Sequence, residues 1–172
     1  MPAAGAFIGN GLWALYTQFF GLTFVSALII IATLGCLIAT YRIFSRWEPK
    51  FTRTERWLAV LPLSALAAWL TAATIVNIAA SLKYHGVDAG DAAPAISAAI
   101  ILVGGIIAAL AVVRGRGSPP YALVFLWALL AIYLAGGQQA AMVAGAVIVA
   151  AALVIAGFVI GLRKAGLSRW FG

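Results

Sequence analysis

Apolar residues in this chain fall into long runs, separated by short breaks that carry charges, glycine or proline. A helix needs roughly 20 mostly apolar residues to cross the hydrocarbon core of a bilayer. The runs predict five membrane-spanning helices, at residues 22–41, 57–82, 95–113, 121–134 and 140–162. The first of them lies within a longer apolar stretch that begins near Phe7. The pattern therefore predicts an all-α integral membrane protein with a single transmembrane domain over residues 1–172.

The composition leaves no polar surface for a soluble domain. Hydrophobic residues make up 65% of the chain and charged residues 9%, whereas soluble domains average about 25% charged residues. Lipid is therefore the expected solvent and partner. The net charge of +7 would suggest nucleic acid in a soluble protein, but here the positive residues sit in short loops, where they act as topology signals. No nucleic-acid partner is expected.

The basic residues are distributed very unevenly over the predicted loops. The first loop carries five of them, the third loop two and the C-terminal tail three, whereas the second loop has only Lys83 and the fourth none. Loops rich in Lys and Arg stay in the cytoplasm. With five spans, this distribution predicts an outside N-terminus and a cytoplasmic C-terminus in the cell inner membrane. The ten residues are Arg42, Arg46, Lys50, Arg53, Arg56, Arg114, Arg116, Arg163, Lys164 and Arg169.

The interiors of the predicted spans contain no Asp, Glu, Lys, Arg or His. Such residues mark proton relays and ion pathways, and hydrolytic chemistry needs a nucleophile with a positioned base. We therefore expect neither a catalytic residue nor an enzyme. The second loop holds His85, Asp88 and Asp91, which could bind a metal or pass a proton. Nothing in their spacing fixes a common geometry, so a solvated outer loop is the better interpretation and no metal site is expected.

Polar and aromatic residues within the spans are the candidates for ligand binding. Trp69, Ala73, Asn77 and Ser81 recur every four residues and so share one helix face. Asn77 needs hydrogen-bonding partners at a depth where water is absent, and either a neighbouring helix or a ligand can provide them. Trp69 and Trp127 lie near the middle of their spans, whereas tryptophan prefers the interface. They either fill the bundle core or form an aromatic wall against a flat ligand. We expect both rings to face one interhelical space, with Asn77 about two turns nearer the outer surface.

Small residues indicate where helices approach each other closely. Gly104 and Gly105 are adjacent in the third span, and Gly157 and Gly161 form a GxxxG pattern in the fifth. These positions predict contacts between helices or a dimer face. If the contact exists, Gly157→Leu should disturb folding or dimerisation far more than Val159→Leu.

Two segments carry a family resemblance. The second span reads WLAVLPLSALAAWLTAATIVN over residues 57–77, and the fourth contains FLWALLAI over residues 125–132. They resemble the divergent bacterial branch of the tryptophan-rich sensory protein family, which is related to the translocator protein. The resemblance implies a five-helix membrane bundle with a cytoplasmic C-terminus. It also implies that Trp69, Asn77 and Trp127 are ligand-binding residues, because they lie in the matching segments.

Two functions remain open at the level of sequence. The first is a sensor, receptor or carrier that holds a flat hydrophobic ligand, such as a porphyrin or another tetrapyrrole, between its helices. The alternative is an accessory subunit of a larger membrane complex for pigment or electron transfer, with Trp and Gly faces as docking surfaces. The sequence does not identify a cofactor, and it is compatible with a homodimer or a larger assembly.

Overall fold

The computed structural model describes residues 2–166 and Trp170, and within them it contains six helices of three turns or more. The described part of the chain has no β-strand. The helices are α1 (Pro2–Phe20), α2 (Phe24–Arg46), α3 (Arg53–Tyr84), α4 (Ala93–Arg114), α5 (Pro119–Leu134) and α6 (Ala141–Ala165).

Helices α2 to α6 coincide with the five predicted runs, which confirms those segments as helices. Four of them are long and apolar enough to cross a membrane: α2, α3, α6, and α4 together with the turn before it. Helix α5 is a shorter apolar helix. Proline in the first turn of α4 and of α5 suits the start of a helix, where its missing N–H is not needed. Within α3 a π-helical turn, Arg56–Val60, ends two residues before Pro62. The proline cannot donate a hydrogen bond to the carbonyl four residues back.

The described chain has six helices where five spans were predicted, because the long first apolar stretch folds as two helices. The chain reverses direction at residues 21–23, where Gly21 has a φ of +73°, a conformation that glycine adopts at little cost. Helix α1 then packs antiparallel to α2. The Tyr16 hydroxyl lies 2.8 Å from that of Thr23 at one end of the pair, and a Cβ on Gly5 would lie 3.0 Å from Cys36 Sγ further along.

The extra helix changes where the chain begins relative to the charges. Since α1 runs back along α2, its first residues lie toward the end of α2 that carries Arg42 and Arg46. The end of α6 lies at the same end of the bundle, because Gly161 packs against Gly117 in the α4–α5 loop. In the described chain, the start of α1 and the end of α6 therefore lie at the same, basic end of the bundle, whereas the sequence predicted an N-terminus and a C-terminus on opposite sides.

The basic residues that cluster in the predicted cytoplasmic loops also lie together at one end of the folded bundle. At the basic end, Arg116 forms an ion pair of 3.1 Å with Glu48, and the Trp170 indole N–H donates to the Arg116 carbonyl. Nine of the ten basic residues lie at this end, and the tenth, Arg169, falls outside the described residues. At the opposite end the backbone N–H of Phe24 points to Nε2 of His85 at 3.4 Å.

The close helix contact predicted from the glycines is present within the chain, between α4 and α6. A Cβ on Gly157 would lie 2.8 Å from the Ala109 carbonyl oxygen, and one on Gly105 would lie 2.9 Å from Cα of Ala150. These distances require glycine at both positions. Helix α4 is thus fixed against α6, while α2 packs on α3 and α3 on α5.

Candidate functional site: a cavity between three helices

A cavity of about 850 Å³ lies between α2, α3 and α4, and Tyr121 of α5 also lines it. It exists because α4 is held by α6 and α2 is held by α3, so that α2 and α4 do not close on each other. Its volume lies within the range of about 300–1,000 Å³ that is usual for small-molecule sites. Its apolar lining comes from seven side chains: Leu34, Ile38, Ala67, Ile75, Ile107, Leu110 and Ala111.

The two ends of the cavity differ in chemistry. On α2 the lining runs from Leu34 to Arg46, a rise of about 18 Å for twelve helical residues. At the basic end of the bundle the lining includes Arg42, Arg46 and Arg114, all of them exposed. No carboxylate of the described residues lies within ion-pair distance of these three arginines. The cavity lining is therefore mostly apolar, with cationic side chains at the basic end of the bundle.

Two tyrosines and a threonine form an ordered polar patch in the cavity wall. Tyr41 donates its hydroxyl hydrogen to the Ala111 carbonyl at 3.2 Å, which ties α2 to α4 at one point. The Thr71 hydroxyl donates to the Ala67 carbonyl and lies 2.9 Å from the Tyr121 hydroxyl, so Tyr121 is the donor in that pair. The rings of Tyr41 and Tyr121 are 5.2 Å apart. All three hydroxyl groups have partners, so this wall is already formed without a ligand.

Thr74 differs from Thr71, although both lie on α3 and both line the cavity. Its side chain is 7% exposed, and its hydroxyl has no hydrogen-bond partner. A buried hydroxyl left unpaired costs about 1–3 kcal/mol. In the wall of a cavity, that unsatisfied group marks a place where a bound molecule can supply the missing partner.

The structure brings together two of the three residues predicted to bind a ligand. The rings of Trp69 and Trp127 are 5.4 Å apart and inclined by 36°. They meet on the outside of the bundle, where Trp69 is 43% and Trp127 58% exposed. We refer to Trp69 and Trp127 as the tryptophan pair. Neither ring lines the cavity.

Asn77 lies apart from the tryptophan pair. It is buried and accepts a hydrogen bond of 3.0 Å from the Ser26 hydroxyl of α2, while its amide nitrogen has no partner. Steps of four residues drift by about 40° around a helix of 3.6 residues per turn, so Trp69 and Asn77 point in directions about 80° apart. The contact with Ser26 joins two helices, as one of the two sequence interpretations expected. Ligand binding by Trp69, Asn77 and Trp127 stays a prediction.

The loop beyond α3 holds no cluster of metal ligands among the residues that the structure describes. His85 accepts from the Phe24 backbone, and the Asp88 carboxylate accepts the Gly90 N–H at 3.0 Å. The first contact joins this loop to the start of α2, and the second lies within the exposed loop.

Sequence reasoning missed the residues that line the cavity. Arg42 and Arg46 are one helical turn apart and Arg114 ends another helix, but their position in basic loops was explained by topology alone. Thr71 and Thr74 lie within the segment that carries the family resemblance. Their spacing, three residues apart on one helix face, was the available signal.

The comparisons with known proteins identify a family. A family model described as TSPO-like protein matches residues 2–160. No curated protein sequence and no solved structure matches the chain.

Proposed function

Because the chain belongs to the TSPO-like protein family, we propose that it is a membrane-embedded sensor or carrier that holds a flat hydrophobic ligand, such as a tetrapyrrole, in the cavity between α2, α3 and α4. It acts by binding and not by catalysis. The main support for this proposal is the cavity. Its volume of about 850 Å³ and its largely apolar lining match what a small hydrophobic ligand needs.

The geometry also supports a ligand that enters from the bilayer. Ile38, Ile107 and Leu110 line the cavity and are at the same time exposed on the bundle surface. An apolar molecule dissolved in lipid can therefore reach the cavity sideways, between α2 and α4, without passing through water.

The test is to fill the cavity and measure porphyrin binding. Ile38→Trp enlarges a lining side chain, whereas Ile31→Trp makes the same change seven residues away on the same helix, outside the lining. Both isoleucines are 46% exposed, so the pair is matched. In protein reconstituted into lipid nanodiscs, protoporphyrin titrated by absorption should bind Ile38→Trp at least ten times more weakly than the wild type and leave Ile31→Trp unchanged. Equal affinity in all three proteins would place the ligand elsewhere.

The accessory-subunit function remains a second candidate because of the tryptophan pair. Two contacting indole rings on an outward surface are suited to docking against another membrane protein, since Trp is enriched in interaction hot spots. Purification in mild detergent separates the two functions. Subunits that co-purify with the wild type and are lost in Trp127→Leu support docking; a bound chromophore on an otherwise isolated chain supports the ligand-binding function.

We also propose that the basic end of the bundle is cytoplasmic, with both ends of the described chain on that side, in the inner membrane. In a Cys36→Ala background, an impermeant thiol reagent added outside intact cells should label Asp88→Cys and miss both Lys50→Cys and Ala4→Cys. Labelling of Ala4→Cys together with Asp88→Cys would mean that α1 does not return to the basic side.

A further inference from the structure

We infer that the basic end of the cavity is a binding site for an anionic phospholipid of the surrounding bilayer. The lipid phosphate lies among Arg42, Arg46 and Arg114, and one acyl chain lies in the apolar part of the cavity, between α2 and α4. We refer to these three residues as the lining arginines. Such a site needs no tetrapyrrole, so it stands whether or not the proposed ligand binds.

The lining arginines stand on both sides of the gap between two helices. Arg42 and Arg46 are one turn apart on α2, and Arg114 is the last residue of α4. Basic pockets between membrane helices on the cytoplasmic side bind the headgroups of anionic lipids, and a guanidinium group binds phosphate through two parallel hydrogen bonds. Retention of basic loops in the cytoplasm explains positive charge at this end, but it does not place three arginines along one cavity. Arg53 and Arg163 lie at the same end of the bundle and do not line it.

The lining arginines have no acidic partner among the described residues. At this end of the described chain, Glu48 pairs with Arg116 at 3.1 Å, and Arg116 does not line the cavity. All three lining arginines are exposed. A phosphate from outside the chain can therefore reach them without displacing a carboxylate of the described residues.

Two tryptophans mark the depth of the lining arginines in the membrane. Trp47 directly follows Arg46, and Trp57 lies in the π-helical turn near the start of α3; their side chains are 47% and 62% exposed. Exposed tryptophan on a membrane protein prefers the level of the lipid headgroups. Arg46 therefore lies where the lipid phosphates are, and Arg42, one turn deeper, can extend its long side chain to the same level.

The apolar part of the cavity has the length and the opening that an acyl chain needs. Its lining on α2 extends from Arg46 to Leu34, about 18 Å along the helix axis, and one leaflet of the hydrocarbon core is about 15 Å deep. Ile38, Ile107 and Leu110 line the cavity and are also exposed on the bundle surface. A chain that descends from a phosphate at the arginines can therefore enter sideways and reach the middle of the bilayer inside the cavity.

The experiment compares two lipids that share their acyl chains and differ in headgroup and net charge. Phosphatidylglycerol and phosphatidylcholine are mixed in equal amounts in nanodiscs, and native mass spectrometry counts the lipids that stay on the released protein. The wild type should retain one phosphatidylglycerol, with at least a tenfold preference over phosphatidylcholine. A chain that combines Arg42→Gln, Arg46→Gln and Arg114→Gln should show a preference of less than about twofold.

A matched control removes the same charge from the same end of the bundle. Lys50→Gln, Arg53→Gln and Arg163→Gln, combined in one chain, change three exposed residues outside the cavity lining and should keep the tenfold preference. If the control loses the preference as fully as the variant of the lining arginines, the lipid responds to general surface charge and the cavity has no specific lipid site.

A second pair of variants tests the position of the acyl chain. Ile38→Trp enlarges a side chain of the cavity lining, whereas Ile31→Trp makes the same change outside it, and both isoleucines are 46% exposed. Ile38→Trp should lower the retention of phosphatidylglycerol at least fivefold, and Ile31→Trp should leave it unchanged. Equal retention by the two variants would mean that the chain stays in the bulk bilayer, which overturns the inference.

Free phosphate is the other source of the same anionic group. Inorganic phosphate in large excess, compared with sodium chloride of equal ionic strength, should not displace the retained lipid, because phosphate has no acyl chain to place in the cavity. Displacement by phosphate alone would make this a phosphate site and contradict the assignment to a lipid.

Protoporphyrin titration of the same wild-type protein separates this inference from the proposed function. Retention of phosphatidylglycerol without any binding of protoporphyrin would end the proposed function alone. Binding of protoporphyrin without a preference between the two lipids would end the lipid site alone.

Discussion

Helix α4 faces two neighbours in opposite ways. On the side toward α6, Gly105 and Ala109 of α4 pack against Ala150 and Gly157 of α6, so that the two backbones are in contact. Toward α2 it presents larger side chains, and the space between the two helices stays open over about 850 Å³. In lipid, no hydrophobic force drives helices together, and close contact depends on small residues. The comparison shows that small residues on one side of α4 allow close contact with α6, whereas larger residues on the other side leave a cavity.

The largest expected effect comes from breaking the closed side. Gly157→Leu places a side chain where a Cβ alone would lie 2.8 Å from the Ala109 carbonyl oxygen. Because the contact is with backbone, α4 and α6 must separate, and we expect a loss of about 3 kcal/mol or more in the free energy of unfolding. Val159→Leu, at a position 41% exposed to lipid, is the control and should change it by less than about 0.5 kcal/mol. Unfolding in detergent, followed by circular dichroism, measures both; equal tolerance would make the GxxxG pattern irrelevant to the fold.

A smaller effect separates the two threonines on the open side. Thr71→Val removes the acceptor of the Tyr121 hydroxyl and should cost about 1–2 kcal/mol. Thr74→Val removes a hydroxyl without a partner, so ligand-free protein should be unchanged or more stable by up to about 1 kcal/mol. The same unfolding assay compares the two variants. If Thr74→Val lowered the free energy of unfolding as much as Thr71→Val, the Thr74 hydroxyl would already have a hydrogen-bond partner in the ligand-free protein.

The smallest expected effect is at the tryptophan pair. Trp69→Leu loses one ring contact at the lipid surface, worth about 0.5–1.5 kcal/mol, and should leave porphyrin affinity within about twofold of the wild type. Titration by absorption avoids the change in intrinsic fluorescence that the substitution itself causes. A tenfold loss of affinity in Trp69→Leu, with Ile38→Trp unaffected, would move the ligand to the tryptophan pair, where the family resemblance predicted it.

Much of the fold follows from the sequence, because the bilayer imposes a length and a polarity on each span. Helices α2 to α6 are predictable for this reason. The glycines predicted close helix contacts or a dimer face, but not that α4 and α6 are the helices that meet. The turn at Gly21 is not predictable, since the stretch around it contains no charge and no proline. Without that turn, the sequence prediction contained no separate helix α1.

The site was less predictable for a geometric reason. Residues four apart look aligned over one step, but Trp69 and Asn77 diverge over two steps and face different neighbours. The cavity depends on how far α2 stays from α4, helices that are some 70 residues apart in sequence, as the bond from Tyr41 to the Ala111 carbonyl illustrates. No local pattern encodes a gap between such distant segments.

The most direct measurement of the central claim is photo-crosslinking of bound protoporphyrin to a benzophenone amino acid placed at three positions in turn. Ile107 lines the cavity, Leu123 lies one turn from Trp127 on α5, and Ile148 lies on α6 outside the cavity; all three are exposed. We expect a porphyrin adduct by mass spectrometry at position 107 and none at positions 123 and 148. An adduct at position 123 without one at position 107 would contradict the account and assign the ligand to the tryptophan pair.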